Sequence, residues 1–80
     1  MSGLAYIATG PAGTPWARVR LRIHAQALSM HPDRDRLKTV VQVPGIPEDP
    51  IFIAFLTPLE LAFFLSDSRR EGWELEAAWQ

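Results

Sequence analysis

The sequence predicts a small α+β domain: a mainly antiparallel sheet of four to five strands with one helix packed on one face. Three observations support this prediction. One long segment alternates apolar and polar residues, a helix-start signal opens one apolar run, and proline-rich and glycine-rich stretches separate the segments. Eighty residues suffice for one domain only, so we expect residues 1–80 to fold as a single unit.

The clearest predicted strand covers residues 16–28. From Ala17 to Ala27 every second residue is apolar, while the residues between them are polar or charged. A period of two over this length indicates a long, half-buried strand. Shorter strands are predicted at residues 4–9 and 37–43. A run at 51–55 is rich in β-branched and aromatic residues, but it is too short for periodicity to separate a strand from a helix extension.

The predicted helix begins after Thr57. Threonine is a common N-cap, Pro58 suits the first helical position, and Glu60 is spaced to bond back to the backbone of the cap. Arginines near the end of the helix complement its dipole, and Gly72 stands where a left-handed C-terminal cap belongs. Residues 73–79 then alternate again and predict a final strand, with Trp73 and Trp79 in the core.

In chain order these elements give β-β-β-(β)-α-β. We expect the second and third strands to form an antiparallel hairpin across the polar connection at 29–36, and the helix to lie on the apolar face of the sheet. We also expect the second and last strands to be neighbours that carry the sheet. The acidic residues of the last strand would then lie opposite the basic residues of the second.

Three arginines, Arg18, Arg20 and Arg22, share one face of the second predicted strand. The interpretation we favour is cross-strand pairing with Glu74 and Glu76, which have a matching spacing. Alternatively, the arginines contact an acidic protein surface, or track the phosphates of a single-stranded nucleic acid. A net charge of -1 and a sequence pI near 6.0 argue against phosphate binding as the main role.

The predicted helix has more apolar surface than one sheet face requires. We expect Pro58, Leu59, Leu61, Ala62, Phe63 and Leu65 to form a wide apolar arc, with Phe64 outside it. One interpretation is that the segment 44–56 folds over the helix and covers the excess. The other is that Phe64 and Leu61 form an exposed anchor for a protein partner or a second copy of the chain.

We expect no catalytic residues, no cofactor and no metal site. Serines and histidines form no recognisable nucleophile–base order, and His31, Asp33 and Asp35 match no metal-binding spacing. A polar site completed across a dimer interface is the remaining route to catalysis, with His24 and Tyr6 as its first candidates. The chain has no cysteine, which excludes disulfides and thiolate chemistry.

The composition and these candidate surfaces lead to a prediction of function. No basic leader precedes the short N-terminal apolar run and no apolar run is long enough to span a membrane, so we expect a cytoplasmic protein. We expect a small non-enzymatic protein-binding module, an accessory or inhibitory protein of bacterial or phage origin, which forms a homodimer or binds a foreign protein. Its predicted contact residues are Leu61, Phe64, Arg18, Arg20 and Arg22. The alternative is a single-stranded nucleic-acid binder that uses the arginine strand.

Overall fold

The computed structural model describes residues 3–27, 35–45 and 48–78. It contains a five-stranded antiparallel sheet and one helix in the order β-β-β-β-α-β, which confirms the predicted fold class. The run after residue 50 is a strand of the sheet and not an extension of the helix. The elements are β1 (Gly3–Thr9), β2 (Arg20–Ala27), β3 (Leu37–Gln42), β4 (Phe52–Leu56), α1 (Pro58–Arg70) and β5 (Glu74–Ala77).

The spatial order of the sheet is β4-β3-β2-β1-β5. The first four strands form consecutive antiparallel pairs, including the predicted pair of β2 with β3. The helix then carries the chain from the β4 edge to the opposite edge, where β5 pairs with β1. Our expectation that the second and last strands are neighbours is wrong, because β1 lies between them.

The helix starts as the sequence predicts. The Thr57 hydroxyl accepts from the Glu60 amide at 3.2 Å, and the Glu60 carboxylate accepts from the Thr57 amide at 2.9 Å. This reciprocal pair satisfies two amides that the first helical turn leaves without intrahelical partners. After the helix, Gly72 adopts a φ of 102°, a left-handed conformation that favours glycine and turns the chain towards β5.

The core lies between the helix and one face of the sheet. We call this face of the sheet the helix face. Leu61 and Leu65 of the helix pack against small and β-branched residues of the central strands, with Trp73 and Leu75 half-buried at the β5 end. Trp73 therefore takes part in the core as expected, whereas Trp79 lies outside the described residues. The buried strand residues on the helix face are Ala8, Ile23, Ala25, Thr39 and Val41, and Val40 and Gln42 are buried on the other face.

Candidate binding surface

The second face of the sheet, which we call the open face, carries most of the sheet's charged side chains. Strand geometry places alternate residues on opposite faces, and the registers align these residues across the strands. No helix or strand among residues 3–27, 35–45 and 48–78 packs on this face. Its side chains are Ala5, Ile7 and Thr9 of β1; Arg20, Arg22, His24 and Gln26 of β2; Lys38, Val40 and Gln42 of β3; Ile53 and Phe55 of β4; and Glu74 and Glu76 of β5.

A cationic centre occupies the middle strands of the open face. It consists of Arg20 and Arg22 on β2 and of Lys38 on β3, which lies opposite Gln26, about 14 Å further along the sheet than Arg22. Arg20 and Lys38 are exposed, and Arg22 is half-buried. Arg18, the third predicted arginine, precedes β2 and is also exposed, but it belongs to the connection from β1 and not to the strand.

The acidic residues of β5 lie on the same face but not beside the arginines. Thr9 stands between Glu74 and Arg20 in the register, and Ile7 stands between Glu76 and Arg22. Two strand spacings separate the backbones by about 10 Å. In the part of the chain that the structure describes, no ion pair joins either carboxylate to these arginines. The cationic centre therefore keeps its charge.

Two further observations describe the electrostatics of the cationic centre. Burial lowers the pKa of His24 below its ordinary value of 6.5, and the positive charges of Arg22 and Lys38 lower it further. The Nε of Arg22 is buried and has no hydrogen-bond partner among the described residues. A buried donor without an acceptor is unfavourable for the folded state.

The structure corrects the anchor predicted on the helix. Leu61 is only 3% exposed and belongs to the core, so our expectation that it is available to a partner is wrong. Phe64 is half-buried, and its ring stacks on Phe52 with the centroids 5.9 Å apart, so its expected place outside the packed arc is also wrong. The opposite side of the helix is exposed instead, with Leu59 and Phe63 at 65% and 60%.

The sequence analysis missed the apolar surface of β4. Most of the large exposed hydrophobic residues fall in or near this strand and the first half of the helix. An uncharged strand flanked by proline-rich loops was visible in the sequence, but periodicity does not show that such a strand lies at a sheet edge. The exposed large hydrophobic residues near it are Val43, Ile51, Phe52, Ile53 and Phe55.

The remaining candidate residues do not converge. Tyr6 lies on the helix face and His24 on the open face, so the two are not partners in one site. His31 and Asp33 lie outside the described residues, and Asp35 is exposed. Within the described ranges, no three acidic or histidine side chains form a group suited to a metal ion, and no helix is long and apolar enough to span a bilayer. Comparison of the chain with protein-family models, curated proteins and solved structures gave no match.

Proposed function

We propose that this protein is a small, non-enzymatic, cytoplasmic protein-binding module, an accessory or inhibitory protein that blocks or bridges a larger partner. The observation that carries the proposal is the uncovered cationic centre of the open face, whose charges the acidic strand β5 does not neutralise. A module of this kind acts by covering part of its partner's surface.

The chemistry of the open face defines the partner it suits. Carboxylates on the partner would pair with the exposed side chains of Arg20 and Lys38. The flank formed by Ile53 and Phe55 offers apolar contact beside these charges. We therefore propose a partner surface that combines acidic and apolar side chains, because charges would set orientation and association rate while the apolar flank adds affinity.

A single-stranded nucleic acid is the second candidate ligand, because the arginines are uncovered and Trp16 is exposed in the connection that precedes β2. Three features favour the protein partner. Glu74 and Glu76 share the open face and would repel a phosphate backbone, and Phe55 is the one aromatic side chain among this face's strand residues. Nucleic-acid binders also usually keep a basic field overall, whereas the net charge here is -1.

The test is capture of a partner by matched charge-reversal variants. Tagged wild type, Arg20→Glu and Arg69→Glu would be passed through a nuclease-treated bacterial lysate. Arg69 is exposed near the end of the helix, so the control makes the same charge change away from the open face. We expect one stoichiometric protein with wild type and Arg69→Glu, and its loss with Arg20→Glu. Equal capture by all three proteins would contradict the proposal.

Fluorescence anisotropy with a labelled single-stranded oligonucleotide distinguishes a nucleic-acid ligand from a protein partner. If the arginines bind phosphates, affinity should fall steeply as salt rises and should drop with Arg20→Glu but not with Arg69→Glu. For a protein-binding module we expect only weak oligonucleotide binding that is the same for both variants. Strong, salt-sensitive binding lost with Arg20→Glu would replace the protein partner with a nucleic acid.

A further inference from the structure

The β4 edge of the sheet is open to pairing. β4 hydrogen-bonds to β3 on one side, and no strand among residues 3–27, 35–45 and 48–78 pairs with its other side. Edge strands in natural proteins are usually protected by charged residues or proline, because unpaired backbone groups are a template for another chain. β4 itself contains neither, and Phe52, Ile53 and Phe55 expose large apolar side chains along it.

The hydrogen bonds show which backbone groups of β4 point outward. The Ile51 amide donates to the Val41 carbonyl at 2.8 Å, although Val41 is the register partner of Phe52. Ile51 and Phe52 therefore both lie opposite Val41, which is a β-bulge just before β4, and in such a bulge the backbone groups of the second residue, Phe52, point towards β3. Because strand residues alternate in direction, Ile53 has its amide and carbonyl on the unpaired side. The Phe55 carbonyl shares that direction and accepts from the Arg36 guanidinium.

We propose that the partner for this edge is a second copy of the chain, paired antiparallel about a two-fold axis at Ile53. The two Ile53 residues would exchange both backbone hydrogen bonds, as directly opposed residues do in an antiparallel ladder. The axis is perpendicular to the sheet, so one continuous sheet would run through both copies. A closed two-fold pair is also the commonest form of homo-oligomer.

The side chains of β4 suit this self-pairing. About an axis at Ile53, Phe52 of one copy lies opposite Ala54 of the other on the helix face, which sets a large side chain against a small one. On the open face, the Ile53 side chains meet at the axis. No charge is repeated across the pair, and like charges opposite each other would be unfavourable.

One end of β4 has an arginine beside a glutamate, and the other end has two carboxylates. Arg36 lies at the end where β4 meets the helix, with its guanidinium 3.5 Å from the Glu60 carboxylate. Glu48 and Asp49 precede the other end of β4, and both are exposed. Antiparallel pairing brings opposite ends together, so Arg36 of each copy faces the acidic pair of the other. A parallel arrangement would instead place the acidic pairs side by side.

This dimer goes beyond the proposed function and does not depend on it. Because the two-fold axis is perpendicular to the sheet, both open faces point the same way, and two cationic centres lie on one surface. Such a surface fits a partner that is itself two-fold symmetric or that presents repeated acidic segments. A single copy would retain one cationic centre, with the β4 edge unpaired.

Amide hydrogen exchange, measured at several protein concentrations beside light scattering, tests the pairing. In the dimer the Ile53 amide is hydrogen-bonded, so its exchange should slow as concentration rises. The Ala54 amide faces β3 in either state and is the internal control. We expect a mass rising towards twice the 9.0 kDa of one chain together with this selective protection. A concentration-independent Ile53 rate, or a single-chain mass at the highest soluble concentration, would overturn the proposal.

Matched substitutions provide a second test. Ile53→Lys places two lysines opposite each other at the axis, whereas Phe63→Lys makes the same kind of change on the outer side of the helix, where exposure is similar (49% and 60%). We expect the dissociation constant of the dimer to rise at least tenfold with Ile53→Lys and to stay the same with Phe63→Lys. Equal effects of the two variants would contradict a β4 interface. If Ile53→Lys does not fold, exchange in the wild type still decides the question.

The dimer and the proposed function fail separately. A dimer with Ile53 protection that captures no foreign protein supports the pairing and contradicts the protein-binding role of the open face. A monomer that loses its captured partner with Arg20→Glu supports that role and overturns the pairing.

Discussion

At the scale of single residues, two leucines of α1 have opposite environments although they are two positions apart. Leu61 is 3% exposed and packs in the core, whereas Leu59 is 65% exposed. Since a helix turns by 3.6 residues, positions two apart lie on nearly opposite sides. The two leucines are equally hydrophobic, so residue type does not show which one is buried. Only the position of the helix on the sheet decides this.

Leu61→Ala should lower the free energy of unfolding by about 2–5 kcal/mol, because it leaves a cavity in the core. The matched control, Leu59→Ala, removes an exposed side chain and should change it by about 0.5 kcal/mol or less. Urea denaturation followed by tryptophan fluorescence would measure both. Similar losses for the two variants would show that the helix is rotated from the orientation described.

His24 provides a test of pH dependence. Its pKa is lowered in the folded protein, so below about 6.5 the unfolded chain binds more protons than the folded one. The free energy of unfolding should therefore fall as pH drops through 6.5 towards the lowered pKa. His24→Gln should remove this part of the dependence, as denaturation at a series of pH values would show. An unchanged slope would mean that His24 titrates alike in both states.

At the scale of elements, the helix start depends on local chemistry. The capping box joins two residues three positions apart, and Glu60 also lies near Arg36 at the end of β3. The backbone hydrogen bond from Thr57 is the main cause that lowers the pKa of Glu60. Thr57 and Glu60 therefore form the junction between β4 and the helix that crosses the sheet.

Thr57→Ala removes the hydroxyl that accepts from the Glu60 amide, and should lower the free energy of unfolding by about 1 kcal/mol. Thr57→Ser keeps an acceptor at the same place and should have a much smaller effect. Thermal melts of the two variants beside the wild type would measure the difference. Equal melting temperatures for the alanine and serine variants would show that the cap adds nothing measurable.

The packing of the helix against β4 gives two neighbouring phenylalanines different environments. Phe64 stacks on Phe52, so Phe64→Glu should bury a charge beside that ring and lower the free energy of unfolding by roughly 1–3 kcal/mol. Phe63→Glu changes an exposed side chain and should have little effect. Chemical denaturation of both variants is the measurement. A stable Phe64→Glu that loses only association would instead favour the partner anchor predicted from the sequence.

At the scale of the whole molecule, the helix sets where the two edges of the sheet fall. It links β4 to β5 across the helix face, so the final strand pairs with β1 and not with β2. With this connection no acidic strand lies beside the arginines on the open face, and among the described strands β4 has a neighbour on one side only. The proposed partner contact on the open face and the proposed dimer contact at β4 both depend on the path of the helix from β4 to β5.

If β4 pairs with a second copy, stability should depend on protein concentration. A dimer that forms only from folded chains stabilises them by mass action, so Tm should rise with concentration for the wild type. Ile53→Lys should have a Tm that does not change with concentration, and Phe63→Lys should behave like the wild type. Scanning calorimetry at several concentrations would test this. A constant Tm for all three proteins would contradict the dimer.

The sequence alone predicted a sheet of four to five strands with one helix, the capping box at Thr57 and the turn at Gly72, because alternation, capping and positive φ depend on residues close together in the chain. It did not predict that β1 separates β5 from β2, that Phe64 faces the sheet while Phe63 faces outward, or that β4 is an edge. Those outcomes depend on contacts between segments far apart in the chain. Local patterns place a strand or an apolar arc, but only packing decides which neighbour each one meets.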